Sequence, residues 1–495
     1  MKLETLAVST SGKLVQNTQR PIDITGITCD SRSVRLGDLF AALPGTKTNG
    51  AEFARQAAQR GAAAILCESP DPLTELPQLI CNDARLALAK AARAFYGHAD
   101  LRLRLGAVTG TNGKSTTAYL VRHILKSCGR QCGMLGTIEY DLGSEIIEAP
   151  LTTPESLDLH RYLRAMADSG CDSAFMETSS HSLCQNRVAG IHFDCAVFTN
   201  LTQDHLDYHR TMDEYREAKS ILFRNLLPDA TAILNLDDPA STYFARHTQA
   251  RVLGFTTRGD AAARISATIR LMTIHGTLFD IASPFGNCEL KIKLVGVHNV
   301  QNALGALAAS ISLGTTFDEA VSALESFDGV PGRLESVDLQ PATLAARRQS
   351  FRVFVDYAHT EDALRSVMRA LRELKPSRLI AVFGCGGDRD RTKRPKMGRA
   401  VEEMADLGVI TSDNPRTEDP HEIIGDICAG IQKQNKFSVE PDRAKAIALA
   451  IREARADDVV LIAGKGHENY QIFGKEKRHF SDVEEARAAL KARFE

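Results

Sequence analysis

Short apolar runs, all but one of those quoted below four residues or longer, recur along the chain, and most stop at a glycine or a polar cluster from which a helical pattern starts. LRLGAV (103–108), SAFM (173–176), AVFT (196–199), FVD (354–356), LIAVF (379–383), LGVIT (407–411) and VVLIAG (459–464) show this pattern. Most lack any polar alternation, as expected of parallel strands covered on both faces. After the first run comes a Gly-rich turn and then STTAYLVRHILKSCG, where Ala118, Val121, Leu125 and Cys128 recur at helical spacing until Gly129 stops the helix. Between FVD and LIAVF, Leu364, Val367, Met368, Leu371 and Leu374 share one face, which supplies the crossover helix that parallel strands require. The order strand, loop, helix predicts an α/β fold. A chain of 495 residues fits about three domains. Composition shifts at YGHADLRLR and DGVPGRLE set their bounds at 1–97, 98–335 and 336–495.

Charge narrows the partners. Sixty Lys and Arg against 62 Asp and Glu give a formal charge of −2, so no global field draws the chain to nucleic acid or to an anionic membrane. Small molecules are the expected partners. Eleven cysteines, scattered singly through stretches such as those around Cys67 and Cys195 and without a CxxC pair, read as reduced thiols in a cytoplasmic protein. The N-terminus lacks the apolar core of a signal peptide, and no apolar run approaches the roughly 18 residues of a membrane span.

TGTNGKST (109–116) lies between a predicted strand and a predicted helix. Backbone N–H groups of Gly110, Thr111, Asn112 and Gly113, with the helix N-terminus, suit phosphate oxygens; Lys114 can reach the terminal phosphates and the Ser115 hydroxyl can ligate magnesium, with Thr116 following. The strict GxxxxGK(S/T) pattern is broken by Val108 at its first glycine. The competing reading is a glycine turn with a capping serine. Glu177 after SAFM and His205 in AVFTNLTQDHLDYH could complete a magnesium site, the carboxylate more readily than the imidazole. His205 and His209 form an HxxxH pair without the glutamate of a zinc-protease helix, and Ser179, Ser180 and His181 lack a GxSxG elbow. Lys219, in DEYREAKSILF, is by itself a solvated lysine on an amphipathic helix.

Taken together, TGTNGKST, ETSSHSL, FTNLTQDHLDYH, EAKSILF, GVHNVQNALGA, GVPGRLE, VDYAHTEDAL, FGCGGDRDRTKRPKMG, TSDNPRTEDP and AGKGHENYQ, spanning 109–471, resemble the Mur ligase family, the ATP-dependent enzymes that build the peptide of bacterial cell-wall precursors. ITCDSRSVRLGDLFAAL extends the likeness to the family's UDP-sugar domain. The resemblance implies a UDP-sugar-binding domain, a central P-loop-type ATP domain and a Rossmann-like C-terminal domain that takes the amino acid. It also implies use of ATP and magnesium, with two ions expected; the protein is expected to be a monomer. The members it is most similar to add the third residue to UDP-N-acetylmuramoyl-L-alanyl-D-glutamate. Residue by residue, Lys114 and the 110–116 loop would hold phosphates, and Ser115, Glu177 and His205 would serve magnesium. His298, Asn299, Asn302, Arg333, Asp356 and His359 would contact ATP. The matching lysine of the family is carbamoylated, so Lys219 acquires the role of an anionic oxygen ligand to a second magnesium. Cys29, Ser31, Thr46, Lys47, Thr48, Thr152, Thr153, Ser179, Gln185 and Arg187 would bind the UDP-sugar-peptide. Leu151 stands where some relatives have asparagine, and Glu361 replaces a common proline at a helix start.

In this family the tetrapeptide Asp413-Asn414-Pro415-Arg416 accompanies meso-diaminopimelate as the added amino acid, and lysine-adding members lack the arginine. Diaminopimelate is lysine with a further carboxylate, which a guanidinium grips bidentately. Asp413 and Asn414 would take the far amino group, with Arg389, Gly464 and Glu468 as further contacts. Alone, the tetrapeptide reads as an Asx-Pro turn with a solvated arginine. Rival readings are ligation of L-lysine, a folylpolyglutamate synthetase-type ligase, a nucleotide-binding scaffold without activity, and a dinucleotide-binding oxidoreductase suggested by FGCGGDRD. Arg389 at the third glycine position argues against the last.

Overall fold

The apolar runs form strands: Arg104–Thr109, Ser173–Glu177, Cys195–Phe198, Arg352–Asp356, Leu379–Phe383, Leu407–Ile410 and Val459–Ala463. The computed structural model describes residues 1–15, 20–45, 49–72, 74–337 and 349–494, so Thr46, Lys47 and Thr48 lie outside the described residues. The chain divides into two compact units, one of residues 1–268, 281–288 and 301–324, the other of residues 269–280, 289–300 and 325–495.

The first unit holds two sheets. The N-terminal one has five strands in the order Lys13–Val15, Gln78–Ile80, Ala64–Cys67, Asp38–Ala41, Gly26–Thr28, parallel except at the first pair. Its two faces bury separate clusters, one around Leu39, Leu66 and Leu88, the other around Phe40 and Ile65. In the second sheet Arg104–Thr109 lies between Ser173–Glu177 and Cys195–Phe198, parallel to both. All residues of Ser173–Glu177 and Cys195–Phe198 are buried, which is why their sequence shows no alternation. Three adjacent parallel strands ending at one edge bring the segments that follow them, 110–113, 178–187 and 199–210, to the same side.

The second unit carries a six-stranded sheet in the order Glu335–Ser336, Arg352–Asp356, Val459–Ala463, Leu379–Phe383, Leu407–Ile410, Phe437–Val439. Only the first pairing is antiparallel. Leu364, Met368 and Leu371 of the helix Glu361–Glu373 pack on one face with Met397 and Ile427, and Ile447, Ile451 and Leu490 cover the other. Glu361 is the first residue of its helix behind the Thr360 cap, where an acidic side chain complements the helix N-terminus, and it pairs with Arg365 at 3.0 Å. All eleven cysteines are free, as expected of reduced thiols. Among the described residues no helix is long and apolar enough to cross a membrane.

The buried guanidinium of Arg394 ties the segment after Leu407–Ile410 down, with Glu418 at 2.8 and 2.9 Å and Asp426 at 2.9 Å. Its hydrogen bonds hold the Glu418 carboxyl down to about 2, from an ordinary 4.5. A depressed carboxyl stabilises the fold above its unfolded value and loses that contribution as pH falls through its folded value. The unfolding midpoint in denaturant is therefore expected to decline between about pH 4.5 and 2 more steeply in the wild type than in Glu418→Gln.

Candidate active site

The turn after Arg104–Thr109 enters the helix Lys114–Ser127 through Gly113, at φ 88°. A Cβ there would lie 2.4 Å from Asn302 Oδ1, so glycine is required by both conformation and space. The loop is fixed from the neighbouring strand: Asn200 O accepts from Thr111 N at 2.8 Å, Asn200 Oδ1 from Asn112 N at 2.9 Å, and Asn112 O from Thr199 Oγ1 at 2.6 Å. Lys114 Nζ donates to Gly110 O and Thr111 O, both at 2.9 Å. Ser115 and Thr116 are buried in the first helical turn. A positive helix terminus with a lysine folded over it is the arrangement that holds a polyphosphate. Lys114→Ala is expected to abolish ATP turnover with the thermal unfolding transition unchanged; full turnover in a folded variant would remove the phosphate assignment.

The helix Met212–Arg224 starts at the Thr211 cap and buries Lys219 against this loop. Lys219 is 1% exposed, with Nζ 3.0 Å from Gly110 O and 4.3 Å from the Tyr215 ring centroid. Burial, and then the charge of Lys114, push its amine well below the ordinary 10.5. The sequence-level picture of a solvated lysine does not hold. Glu177, at the end of the adjacent strand, is 1% exposed; Oε1 accepts from Thr137 N at 2.8 Å and Oε2 from Thr137 Oγ1 at 2.9 Å. His205, at φ 54°, precedes the short helix Leu206–His209, and its ring centroid lies 4.9 Å from that of His181. Its Nε2 is 3.5 Å from Asp204 Oδ2.

Among the described residues no group of three or more His, Cys, Asp and Glu side chains is arranged to hold a metal. The donors present are nevertheless oxygen donors suited to magnesium: the Ser115 hydroxyl and the Glu177 carboxylate, each of whose oxygens accepts one hydrogen bond from Thr137 and retains a lone pair. A lysine ammonium cannot ligate a cation. A carbamate on Lys219 would replace it with two further oxygens, which a buried amine of lowered basicity favours.

Four of the residues expected to meet the UDP-sugar-peptide form one network. Thr153 Oγ1 donates to Glu177 O at 2.9 Å and accepts from Ser179 N at 3.1 Å; Arg187 donates to Thr153 O at 2.9 Å and Gln185 Oε1 at 2.8 Å. Thr152 Oγ1 lies 3.2 Å from Thr137 Oγ1, within reach of the same hydroxyl that serves Glu177. Ser179 caps the helix Ser180–Cys184, which gives its hydroxyl a structural task in place of a nucleophilic one. Leu151 exposes its side chain, and its carbonyl accepts from the Tyr140 hydroxyl. On the N-terminal sheet, Ser31 Oγ donates to Gln56 Oε1 at 2.7 Å and Cys29 is exposed.

In the second unit the loops after three adjacent parallel strands, Val459–Ala463, Leu379–Phe383 and Leu407–Ile410, assemble Gly464 to Glu468, the FGCGGDRD turn and the DNPR tetrapeptide. The glycines of the turn serve close loop packing: a Cβ on Gly387 would fall 1.9 Å from Pro415 O, and Gly387 N donates to Asn414 O at 2.9 Å. This accounts for the sequence without a dinucleotide. Arg416 Nη1 donates to Gly387 O at 2.8 Å. A Cβ on Gly386 would meet Arg416 Nη1 at 2.9 Å and Arg389 Cγ at 3.9 Å, so both guanidinium-bearing side chains flank one backbone position. Arg389 is exposed, and Asp413, Asn414 and Pro415 are buried. Asn414 Nδ2 donates to Glu468 Oε2 at 2.9 Å. Asp356 accepts from Leu334 N and Ala358 N, both at 2.8 Å, and burial pushes its carboxyl up. Arg333 lies 4.9 Å over the Tyr357 ring, and His359 Nδ1 is 2.8 Å from Tyr357 O. His298 and Asn299 sit in the first turn of the helix Val297–Ser312, where Asn299 Nδ2 donates to Val295 O at 2.9 Å.

Sequence reasoning missed Thr137, Asn200, Lys465 and Gln471. Asn200 and Lys465 lie inside segments already singled out, FTNLTQDH and AGKGHE, whereas Thr137 has no local signal and is defined by its partner forty residues away.

Three family models match the chain: "Mur ligase family, catalytic domain" over 23–96, "Mur ligase middle domain" over 108–310, and "Mur ligase, glutamate ligase domain" over 332–466. The UDP-N-acetylmuramoyl-L-alanyl-D-glutamate–2,6-diaminopimelate ligase of Bacillus velezensis is 43% identical over 99% of this chain and 99% of its own. Its namesake from Geobacillus kaustophilus is 43% identical over the full length of both. A solved structure of a ligase of the same name superposes with a TM-score of 0.71 at 34% identity, covering 97% of each chain. With its glycine loop and DNPR loop carried at the ends of parallel strands of an α/β fold, a buried lysine on the helix Met212–Arg224 beside the first of them, and this identity end to end, the chain belongs to the Mur ligase family.

Proposed function

We propose that this protein is an ATP-dependent acid–amino-acid ligase that adds meso-2,6-diaminopimelate to the D-glutamate of UDP-N-acetylmuramoyl-L-alanyl-D-glutamate, in peptidoglycan precursor synthesis. The observation that carries the amino-acid identity is Arg416, its guanidinium hydrogen-bonded at one nitrogen to Gly387 O at 2.8 Å and set beside Arg389 in a loop of the DNPR sequence. Full-length relatives at 43% identity bear the name of that reaction.

The substrate carboxylate attacks the γ-phosphorus of ATP and ADP departs; the amine of the incoming amino acid then attacks the acyl carbon and phosphate departs. Such a reaction asks the protein chiefly for positioning and charge neutralisation. Lys114 and the 110–116 loop hold phosphate oxygens; the N–H groups of Thr111 and Asn112 are already donated to Asn200, so the N–H groups at the helix N-terminus, up to Thr116, are the ones that serve the phosphates. Ser115, Glu177, His205 and the carbamate of Lys219 would hold magnesium, with Glu177 the best suited by charge. Bound magnesium supplies positive charge to the phosphate oxygens. Asn302, His298, Asn299, Arg333, Asp356 and His359 serve the nucleotide, and Thr152, Thr153, Ser179, Gln185 and Arg187 the UDP-sugar-peptide together with Cys29 and Ser31. The three matched segments support a division of labour at 1–97, 98–335 and 336–495 for UDP-sugar, ATP and amino acid. The near-neutral charge supports small-molecule partners over nucleic acid, and eleven free cysteines support a cytoplasmic location; the protein is read as a monomer.

Phosphate release from ATP in the presence of the UDP-dipeptide and one amino acid at a time tests the reading. Release is expected with meso-diaminopimelate. Equal rates with L-lysine would establish the broader ligation in its place, and release only with a folate substrate would overturn the assignment.

A further inference from the structure

We propose that Lys465 is a positioning residue that sets amino-acid selectivity by fixing the charge and the amide orientation of the Asp413–Glu468 cluster; this rests on the reading of the DNPR loop as the diaminopimelate site. The Lys465 side chain is fully buried. Its Nζ lies 3.4 Å from Asp413 Oδ1, 3.4 Å from Glu468 Oε2 and 3.2 Å from Asn414 Oδ1, with the Tyr470 ring centroid at 5.5 Å. The other buried cation nearby, Arg443, is committed to Asp482 through two contacts of 2.7 Å. Arg443, balanced by Asp482, acts on Asp413 and Glu468 only at longer range, and Lys465 is the cation within 3.4 Å of both carboxylates.

Two consequences follow from that sharing. Asn414 Oδ1 accepts from Ile472 N at 3.0 Å as well as from Lys465, so its Nδ2 must face Glu468 Oε2, and the amide cannot rotate without stranding an ammonium. The backbone of the same segment is tied by Gln471, whose Nε2 donates to Asp413 O at 2.9 Å. The second consequence is electrostatic. One ammonium against two carboxylates leaves the cluster with a single negative charge. Diaminopimelate is neutral overall at pH 7, whereas lysine carries one net positive charge. A cluster made more negative therefore favours lysine, and one made neutral favours diaminopimelate, over and above the grip of Arg416 on the distal carboxylate.

The test compares kcat/KM for meso-diaminopimelate and L-lysine in three variants of the full chain, with thermal unfolding recorded for each. Lys465→Met, with a net cluster charge of two negatives, is expected to lower the diaminopimelate preference at least tenfold while leaving KM for ATP and for the UDP-dipeptide within twofold. Lys465→Met/Glu468→Gln restores one negative charge and is expected to recover part of the ratio. Glu468→Gln alone keeps the lysine and neutralises the cluster; because Glu468 sits at the cluster's partly exposed edge, this variant folds even where the buried replacement does not. Its preference is expected to rise. Equal losses on both amino acids in Lys465→Met, or a Glu468→Gln ratio that falls, would overturn the inference. A wild-type protein that ligates neither amino acid would instead sink the diaminopimelate reading.

Discussion

Lys219→Ala is expected to lose at least about 10²-fold in phosphate release while unfolding at a temperature close to that of the wild type, and short carboxylic acids are expected to restore part of the rate. The argument starts from burial. At its ordinary pKa near 10.4 a lysine amine is only ~0.04% neutral at pH 7, too little to react appreciably with carbon dioxide. Here the side chain is 1% exposed and Lys114 stands close by, and together they push the amine well below that value. The neutral amine adds to carbon dioxide, forming a C–N bond and releasing one proton to solvent; the anion that results is compatible with the neighbouring cation in a way the ammonium is not. The direction with pH follows. Between the lowered folded value and 10.5 the folded chain binds fewer protons than the unfolded one, so unmodified protein gains stability as pH rises through that window. Carbamate formation likewise strengthens as pH rises. Activity of protein stripped of carbon dioxide in mildly acidic buffer should accordingly recover on adding bicarbonate. A folded Lys219→Ala retaining full turnover would end the carbamate role.

The second large effect falls on selectivity. Arg416→Ala should cut kcat/KM for meso-diaminopimelate by at least about 10²-fold and leave L-lysine nearly untouched, because the distal carboxylate that only diaminopimelate carries would lose its partner, and a charge desolvated on binding and left unpaired typically costs ~2–5 kcal/mol. Arg416→Lys tests the geometry. An ammonium keeps the charge but cannot present two parallel N–H groups to one carboxylate, so it should recover only part of the loss. Arg416 is itself held at a left-handed φ of 51° between Ile472 O and Gly474 N, which receive and make its backbone hydrogen bonds. Equal rates on both amino acids in the wild type, or a variant whose ratio is unchanged, would end the specificity claim.

Much of this was legible in the chain, for physical reasons that differ from place to place. The strands were visible because parallel strands buried on both faces leave uninterrupted apolar runs, as in Val459–Ala463. The helix Glu361–Glu373 was visible because only one of its faces is buried. The phosphate loop was readable because a backbone conformation and a charge must coincide within eight residues. The state of Lys219 was not: its buried amine is hydrogen-bonded to Gly110 O, 109 positions earlier, and no local pattern records that contact. Thr137 on Glu177, and Lys465 between Asp413 and Glu468, are likewise properties of strand order. The small antiparallel pair Tyr470–Phe473 and Glu476–His479 escaped notice because the outer strand, wholly exposed, carries no apolar signal.

The insertion of Val459–Ala463 between Arg352–Asp356 and Leu379–Phe383 has a consequence for biosynthesis. A nascent chain that has not reached residue 459 lacks the strand that joins its earlier neighbours, and those neighbours hold open hydrogen-bonding edges until it emerges from the ribosome. The N-terminal sheet can close once its strand Gln78–Ile80 has been made, whereas the loops around the DNPR tetrapeptide wait for Val459–Ala463. Chains cut between residues 384 and 458 should therefore be aggregation-prone fragments rather than partially working enzyme.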